Sequence, residues 1–110
     1  MRADQDRLRD ILEALSRIRK YVDYDREAFL ADELVQVWAV YHIEMAGEAA
    51  RGVSEELRVQ HPQVPWADLV AMRNVLVHQY FGIDFEEVWD TLAADLPALE
   101  RMIRDILAQT

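Results

Sequence analysis

The sequence predicts an all-α protein, and three observations carry that prediction. Apolar residues recur at steps of three and four along nearly the whole chain, which is the helical period. Alternation of the kind a half-buried strand needs is absent. Punctuation is sparse, with glycine only at 47, 52 and 82 and proline only at 62, 65 and 97, so the helices should be long. The 110 residues suit one domain, expected over residues 1–110 as a bundle of four to five helices.

Taken in order, Leu8, Ile11, Leu12, Leu15, Ile18 and Val22 sit at helical spacing with arginines and carboxylates between them, predicting an amphipathic helix over about 4–21. Tyr21-Val22-Asp23-Tyr24-Asp25 breaks the pattern, and Asp25 is placed to cap a short turn through Leu30. Asp32 opens the longest pattern, Leu34, Val35, Trp38, Tyr41, Met45, Ala49, Val53 and Leu57, read as one helix ending near Gln60. Gly47 and Gly52 inside it each cost up to about 1 kcal/mol of helix propensity. The return expected from them is close approach of another helix, since a missing Cβ leaves room for a backbone. His61-Pro62-Gln63-Val64-Pro65 ends this element, and Pro65 suits the first position of the next. That helix is expected from Pro65 to about Tyr80, with Trp66, Leu69, Val70, Met72, Val75 and Leu76 apolar and Gly82 placed to end it. Asp84 caps a further helix carrying Phe85, Val88, Trp89 and Leu92. Pro97 interrupts it, and Leu99, Met102, Ile103, Ile106 and Leu107 form the last helical stretch.

Composition narrows the function. With no cysteine, disulfides, thiolate metal sites, iron–sulfur clusters and thiol catalysis are excluded. Met1 leads into Arg2-Ala3-Asp4-Gln5-Asp6 rather than an apolar run, so no secretory signal is visible, and no stretch reaches the 18 apolar residues of a membrane span. A cytoplasmic protein without a membrane partner is expected. The net charge of −9 argues against a dedicated nucleic-acid surface, DNA included, because phosphate binding rests on a basic footprint. That charge is unevenly placed: −4 over residues 1–50, zero over 51–80 and −5 over 81–110. The middle segment escapes the acid excess. Lys20 is the only lysine; guanidinium suits bidentate contact with carboxylate or phosphate, and the same bias follows equally from genomic composition.

Three histidines are available. His61 lies in the proline-rich loop and reads as a solvated turn residue. His42 lies mid-helix without a carboxylate at three or four residues' distance, so it makes a poor helical metal ligand. Glu44 and Glu48 share a helix face, which alone supports neither zinc nor an acid–base pair. Trp38, Trp66 and Trp89 fall on apolar stripes and read as core. His78 differs by its company, since Arg73, Asn74, His78 and Tyr80 fall within eight residues near a helix C-terminus. An arginine fork neutralises phosphate charge, an imidazole moves protons near neutral pH, and an amide and a phenol orient a substrate. This is a set suited to phosphoryl chemistry without a metal or another cofactor. Polar residues at a frayed helix end would look the same. Five residues separate Arg73 from His78 by about 140° around a straight helix, so one chain does not put both on one face unless the last turn unwinds.

The run Arg73-Asn74-Val75-Leu76-Val77-His78-Gln79-Tyr80 resembles the arginine, four to six residues, histidine signature of HEPN domains, and His78-x-Tyr80 resembles the HepT branch. Arg7-Leu8-Arg9-Asp10-Ile11-Leu12, Tyr24-Asp25-Arg26-Glu27-Ala28-Phe29, Gly47-Glu48-Ala49-Ala50, Pro65-Trp66 and Val88-Trp89-Asp90-Thr91-Leu92 are similar to that branch in the same order. The likeness implies a HEPN-type helical bundle that pairs as a twofold homodimer with two motifs in one cleft. It implies a metal-independent endoribonuclease, the toxin of a toxin–antitoxin pair, in which His78 is general acid or base, Arg73 stabilises the phosphorane and Asn74 orients its neighbours. It further implies an MntA-type nucleotidyltransferase antitoxin that attaches AMP to Tyr80, adding bulk and negative charge beside the phosphate site. Glu48 matches the family's Gly-Glu-Ala and is expected beside the site, paired with an arginine, or else buried with a satisfied partner. Val40-Tyr41-His42-Ile43-Glu44-Met45-Ala46 departs from the family's Asn-x-x-x-Ile-Gly-Glu tendency, which puts the long helix's share in the cleft in question. The rival reading is a non-enzymatic helical module that docks on a nucleotidyltransferase, favoured by the acidic balance and disfavoured by the intact motif. A basic field around the motif would favour RNA, and a uniformly acidic one the module.

Overall fold

A computed structural model describes residues 2–22, 25–78 and 82–109, with the backbone alone at Arg2, Val77 and His78. Among the described residues the regular structure is all helical, in the order α1 (Arg2–Tyr21), α2 (Arg26–Ala31), α3 (Glu33–Arg51), α4 (Glu55–Gln60), α5 (Trp66–His78), α6 (Phe85–Asp90), a π turn (Thr91–Asp95) and α7 (Leu96–Ala108). No helix among them is long and apolar enough to cross a membrane. The all-α bundle expected from periodicity is the observed architecture, built on three long helices (α1, α3 and α5) and the near-continuous rod from α6 to α7.

The starts of these helices follow from aspartate and serine caps. Asp25 accepts the Glu27 N–H at 3.1 Å and Asp32 the Val35 N–H at 3.2 Å. Asp84 accepts the N–H groups of Glu86 and Glu87. Each cap satisfies a donor that the first helical turn leaves unpaired, worth about 1 kcal/mol.

Two departures from the periodicity have identifiable causes. The stretch from Asp32 to Gln60 is two helices, because α3 ends at Gly52 and Ser54 restarts the chain by capping Leu57 N–H at 3.2 Å. Asp4 holds this corner: it is buried and accepts both the Ser54 N–H (2.9 Å) and the Ser54 hydroxyl (2.6 Å). Pro97, expected to interrupt the last helix, is instead accommodated within the first positions of α7. The preceding residues widen into the π turn, where the Leu96 N–H reaches back five residues to the Thr91 carbonyl. Pro65 stands one position ahead of α5, its carbonyl accepting the Leu69 N–H at 3.1 Å.

The core is one cluster. Leu8, Ile11, Leu15 and Ile18 of α1 are almost wholly buried and meet Ala39, Ile43, Ala46 and Ala50 of α3 and Ile103 and Ile106 of α7. Burying each leucine or isoleucine stabilises the fold by about 1.5–3 kcal/mol. The small side chains on α3 let α1 and α5 both pack closely against it, and these are the two heaviest helix contacts of the fold. At the rod's two ends, α6 packs on α2 and α7 on α1. Trp66 and Trp89 are buried as expected, Trp89 beside Phe29 at 5.6 Å between ring centroids. Trp38 is only partly buried and donates its indole N–H to the Arg17 carbonyl at 2.6 Å.

Candidate functional site

The site is built where α5 crosses α3. Gly47 makes the crossing close: an alanine Cβ there would stand 2.4 Å from Arg73 Cβ and 2.8 Å from the Leu69 carbonyl oxygen. Glycine is therefore the residue that lets the Arg73 stem lie directly against the α3 backbone. One residue on, Glu48 reaches across and its carboxylate lies 3.2 Å from Arg73 Nε. Arg73 Nη1 donates to the side-chain oxygen of its neighbour Asn74 at 3.1 Å. With its side chain 25% exposed, Arg73 is a half-buried guanidinium held along one edge and at one tip.

Electrostatically the surroundings of Arg73 are acidic. Glu48 also lies 4.0 Å from Arg51 at the end of α3. Glu44, one turn before Glu48, is partly buried; burial pushes its carboxyl above the ordinary range, and the Arg73 guanidinium partly opposes that shift. Sequence reasoning noted Glu44 only as a neighbour of Glu48 on the helix surface. Its signal was the four-residue step, which sets both carboxylates on the side facing α5.

The structure brings Arg73, Asn74 and Glu48 together. His78 is the last residue of α5, and because the helix is regular up to that position, residue 78 lies about 140° around the axis from residue 73. Tyr80 lies outside the described residues. The other two histidines have structural company. His42 is buried, its Nδ1–H donating to the Trp38 carbonyl at 2.9 Å and its ring packed between Trp38 and Tyr41. His61 closes α4 through its own N–H, while its carbonyl accepts the Trp66 indole N–H at 3.0 Å. Among the described residues no three histidine or carboxylate side chains converge as a metal site would require.

Chemically, an anchored arginine next to an amide can bind and polarise a phosphodiester through charge-assisted hydrogen bonds. Comparison with known proteins bears on the family to which the chain belongs. The family model described as "Ribonuclease HepT-like" matches residues 11–106. The chain is 34% identical over 100 residues to a protein of Thermococcus cleftensis named "Probable ribonuclease HepT", covering 90% of this chain and 91% of that one. Two further relatives carry names that mark them provisionally as RNases. One, from Methanocaldococcus jannaschii, is 32% identical over 97 residues, covering 87% of this chain and 89% of its own. The other, from Caldanaerobacter subterraneus, is 35% identical over 81 residues, covering 74% and 72%. No solved structure matches the chain significantly.

Proposed function

This chain belongs to the ribonuclease HepT-like family, and on that premise we propose that it is a metal-independent endoribonuclease toxin, acting on cellular RNA in the cytoplasm as a homodimer and silenced by AMP transfer onto Tyr80. The observation that carries the reading is the clasp on Arg73. The fold gives up a side chain at Gly47 and supplies Glu48 so that one guanidinium is fixed at the surface of α5, five residues before His78.

In this reading the ribose 2′-OH attacks the adjacent phosphorus. The new P–O2′ bond forms as the P–O5′ bond breaks, leaving a 2′,3′-cyclic phosphate and a 5′-OH end. His78 takes the proton from the nucleophile or gives one to the leaving oxygen. Arg73 stabilises the charge that builds on the phosphorane, a preorganised contribution that typically accounts for a factor of about 10²–10³ in rate. The two contacts to Glu48 and Asn74 use part of a five-donor fork, so its position is set while a phosphate engages the remainder. The 140° between positions 73 and 78 supports a composite site, whereas the carboxylates of Glu44 and Glu48 around Arg73 in one chain favour the non-enzymatic module that docks on a nucleotidyltransferase. A second copy would bring another Arg73 and His78 to the same phosphate. AMP on Tyr80, two residues past His78, would add bulk and negative charge where RNA must approach.

Cleavage of a labelled RNA in excess EDTA tests the enzyme. The wild type is expected to yield cyclic phosphate ends, and Arg73→Ala and His78→Ala to abolish cleavage while keeping helical content. Either variant cutting at the wild-type rate sinks the assignment. Intact-mass measurement after incubation with the partner nucleotidyltransferase and ATP tests the control. AMP increments should vanish in Tyr80→Phe, and no increment with an active partner removes the antitoxin part of the reading.

A further inference from the structure

Between α5 and the rod that ends in α7, a hollow of about 330 Å³ reaches down to the core. Its floor is Leu15 of α1 with Ile43 and Ala46 of α3, three residues that are almost wholly buried. Leu69 and Met72 of α5 form one wall, Leu99 and Met102 of α7 the other. The space follows from the packing. Helix α5 lies heavily against α3, and no comparable contact joins it to α6 or α7 among the described residues. Yet Met72, Val75 and Leu76 turn towards the rod as well, and a helix that is apolar on several sides is built to be covered on several sides. A cavity of about 150 Å³ is enough to hold benzene. Pockets for small organic ligands start at about 300 Å³ and are lined mainly by apolar side chains with a few polar groups. This hollow has that size and that lining.

Charge decides the occupant. The ionisable groups on the lining are Asp68 on α5 and Asp95 at the end of the π turn, one carboxylate on each side. Both are exposed, and neither pairs with a cation among the described residues. No arginine, lysine or histidine of the described residues lines the hollow. Along α5 it continues towards Gly82 as a more open space of about 380 Å³, where Asp84 and Glu87 join Asp68 and the ionisable groups are again acids. A phosphate, a carboxylate or RNA would meet repulsion there with no cation to offset it. The same holds for a second copy of a chain whose net charge is −9.

We propose that this hollow is a binding site for a small organic cation, an amine whose aryl or alkyl body enters between α5 and α7 while its ammonium stays at the rim between Asp68 and Asp95. The body displaces water from the apolar walls, and the ammonium keeps its hydration on the open side. Methionine suits such walls, because its unbranched thioether adapts to what it covers and packs favourably on aromatic rings. Arg73 and Glu48 are not on the lining, so the site is separate from the clasp and stands whether or not the chain cleaves RNA.

Methionine methyl NMR tests the site, with phenylbutylamine as the ligand and phenylbutyrate and phenylbutanol as its anionic and neutral counterparts. Of the four methionines, Met72 and Met102 line the hollow, while Met45 is exposed on α3 and serves as the internal reference. The amine is expected to shift the Met72 and Met102 signals saturably and to leave Met45 in place. Phenylbutyrate should bind at least about tenfold more weakly than the amine, with the alcohol between them. Asp68→Asn combined with Asp95→Asn should lower the amine's affinity to that of the alcohol; both positions are exposed, so circular dichroism should show an unchanged fold. Ala94→Trp, at another exposed position on the rim, should weaken all three ligands. An absent or unsaturable shift, an equal shift at Met45, or an acid that binds as tightly as the amine overturns the proposal. So does an affinity indifferent to the paired aspartate substitutions. Met72 and Met102 signals that move with protein concentration alone would also overturn it, because a second copy would then be what covers the hollow.

Discussion

Replacing Gly47 with alanine separates what glycine costs a helix from what it provides at the α3–α5 crossing. In an isolated helix the change would gain about 1 kcal/mol. In the fold the new Cβ would stand 2.4 Å from Arg73 Cβ and 2.8 Å from the Leu69 carbonyl oxygen. Carbon atoms settle near 3.5–4.0 Å, so the helices must part by roughly 1 Å along this contact. Overpacking of that kind costs about 1–3 kcal/mol, partly offset by the propensity gain. A net loss of up to about 2 kcal/mol should lower the melting temperature by up to roughly 12 °C in a domain of this size. The same displacement carries the Arg73 stem away from Glu48, so RNA cleavage should fall further than the population of folded protein does. Gly52→Ala is the control, since its Cβ would meet only the end of the Arg7 side chain, 2.7 Å from Nε, which can swing aside. Thermal unfolding by circular dichroism, with cleavage assayed well below the transition, reads both effects. If Gly47→Ala proved as stable as Gly52→Ala and fully active, the close crossing would not be what positions Arg73.

Other outcomes follow from specific contacts. Arg73→Lys keeps the charge but not the fork that engages Glu48 and Asn74, so cleavage should drop on the order of 10²-fold with folding intact; an unchanged rate would mean that charge alone suffices. Asp4 is held below its ordinary range because, although burial opposes its charge, hydrogen bonds from Ser54 favour it. The unfolded chain therefore takes up this proton first as pH falls. The cost of Asp4→Ala, about 1–2 kcal/mol in urea unfolding at neutral pH, should shrink below the ordinary aspartate value of about 3.9, and a cost independent of pH would refute that linkage. Glu44 has the opposite sign, burial raising it more than Arg73 lowers it, so its contribution to stability is lost as pH rises through the folded value. Glu44→Gln should raise the melting temperature at pH 7 and leave it unchanged in acid; destabilisation at pH 7 would show that its attraction to Arg73 wins.

Much of the fold could be read in the residues because the helix starts are chemical. Asp25 and Asp84 are placed as caps by their position before an apolar run, Asp32 is read as opening the longest pattern, and all three accept the hydrogen bonds a cap must accept. The break after α3 was hidden because Val53 and Leu57 continue the three-and-four spacing across it, and periodicity alone does not tell a bent path from a straight one. Its signal was Ser54 followed by Glu55 and Glu56, a helix start embedded in what looked like a helix middle. At the site, the Arg73–His78 spacing was visible along the chain. The depth of the crossing was not, because it depends on which α5 residue meets Gly47, a long-range pairing with no local trace. The exposure of Leu34, Tyr41 and Met45 was hidden for a related reason: they share the three-and-four pattern of a core face, and only the fold shows that the small residues Ala39, Ala46 and Ala50 are the buried ones.

The π turn at Thr91–Asp95 has a consequence for how this chain can vary. It delays the rotation of the rod, so that the half beginning at Phe85 points its apolar side at α2 and the half ending at Ala108 points its own at α1. Losing one residue from that turn would restore an ordinary helix and, because the widened turn spends five residues on about the rotation that four take in an α-helix, leave Leu99, Ile103 and Ile106 close to their neighbours. Ala93, Ala94 and Asp95 are exposed and tolerate many side chains. Over these five residues, then, one position can be lost as readily as its side chain can be exchanged, a freedom the packed turns on either side of it do not share.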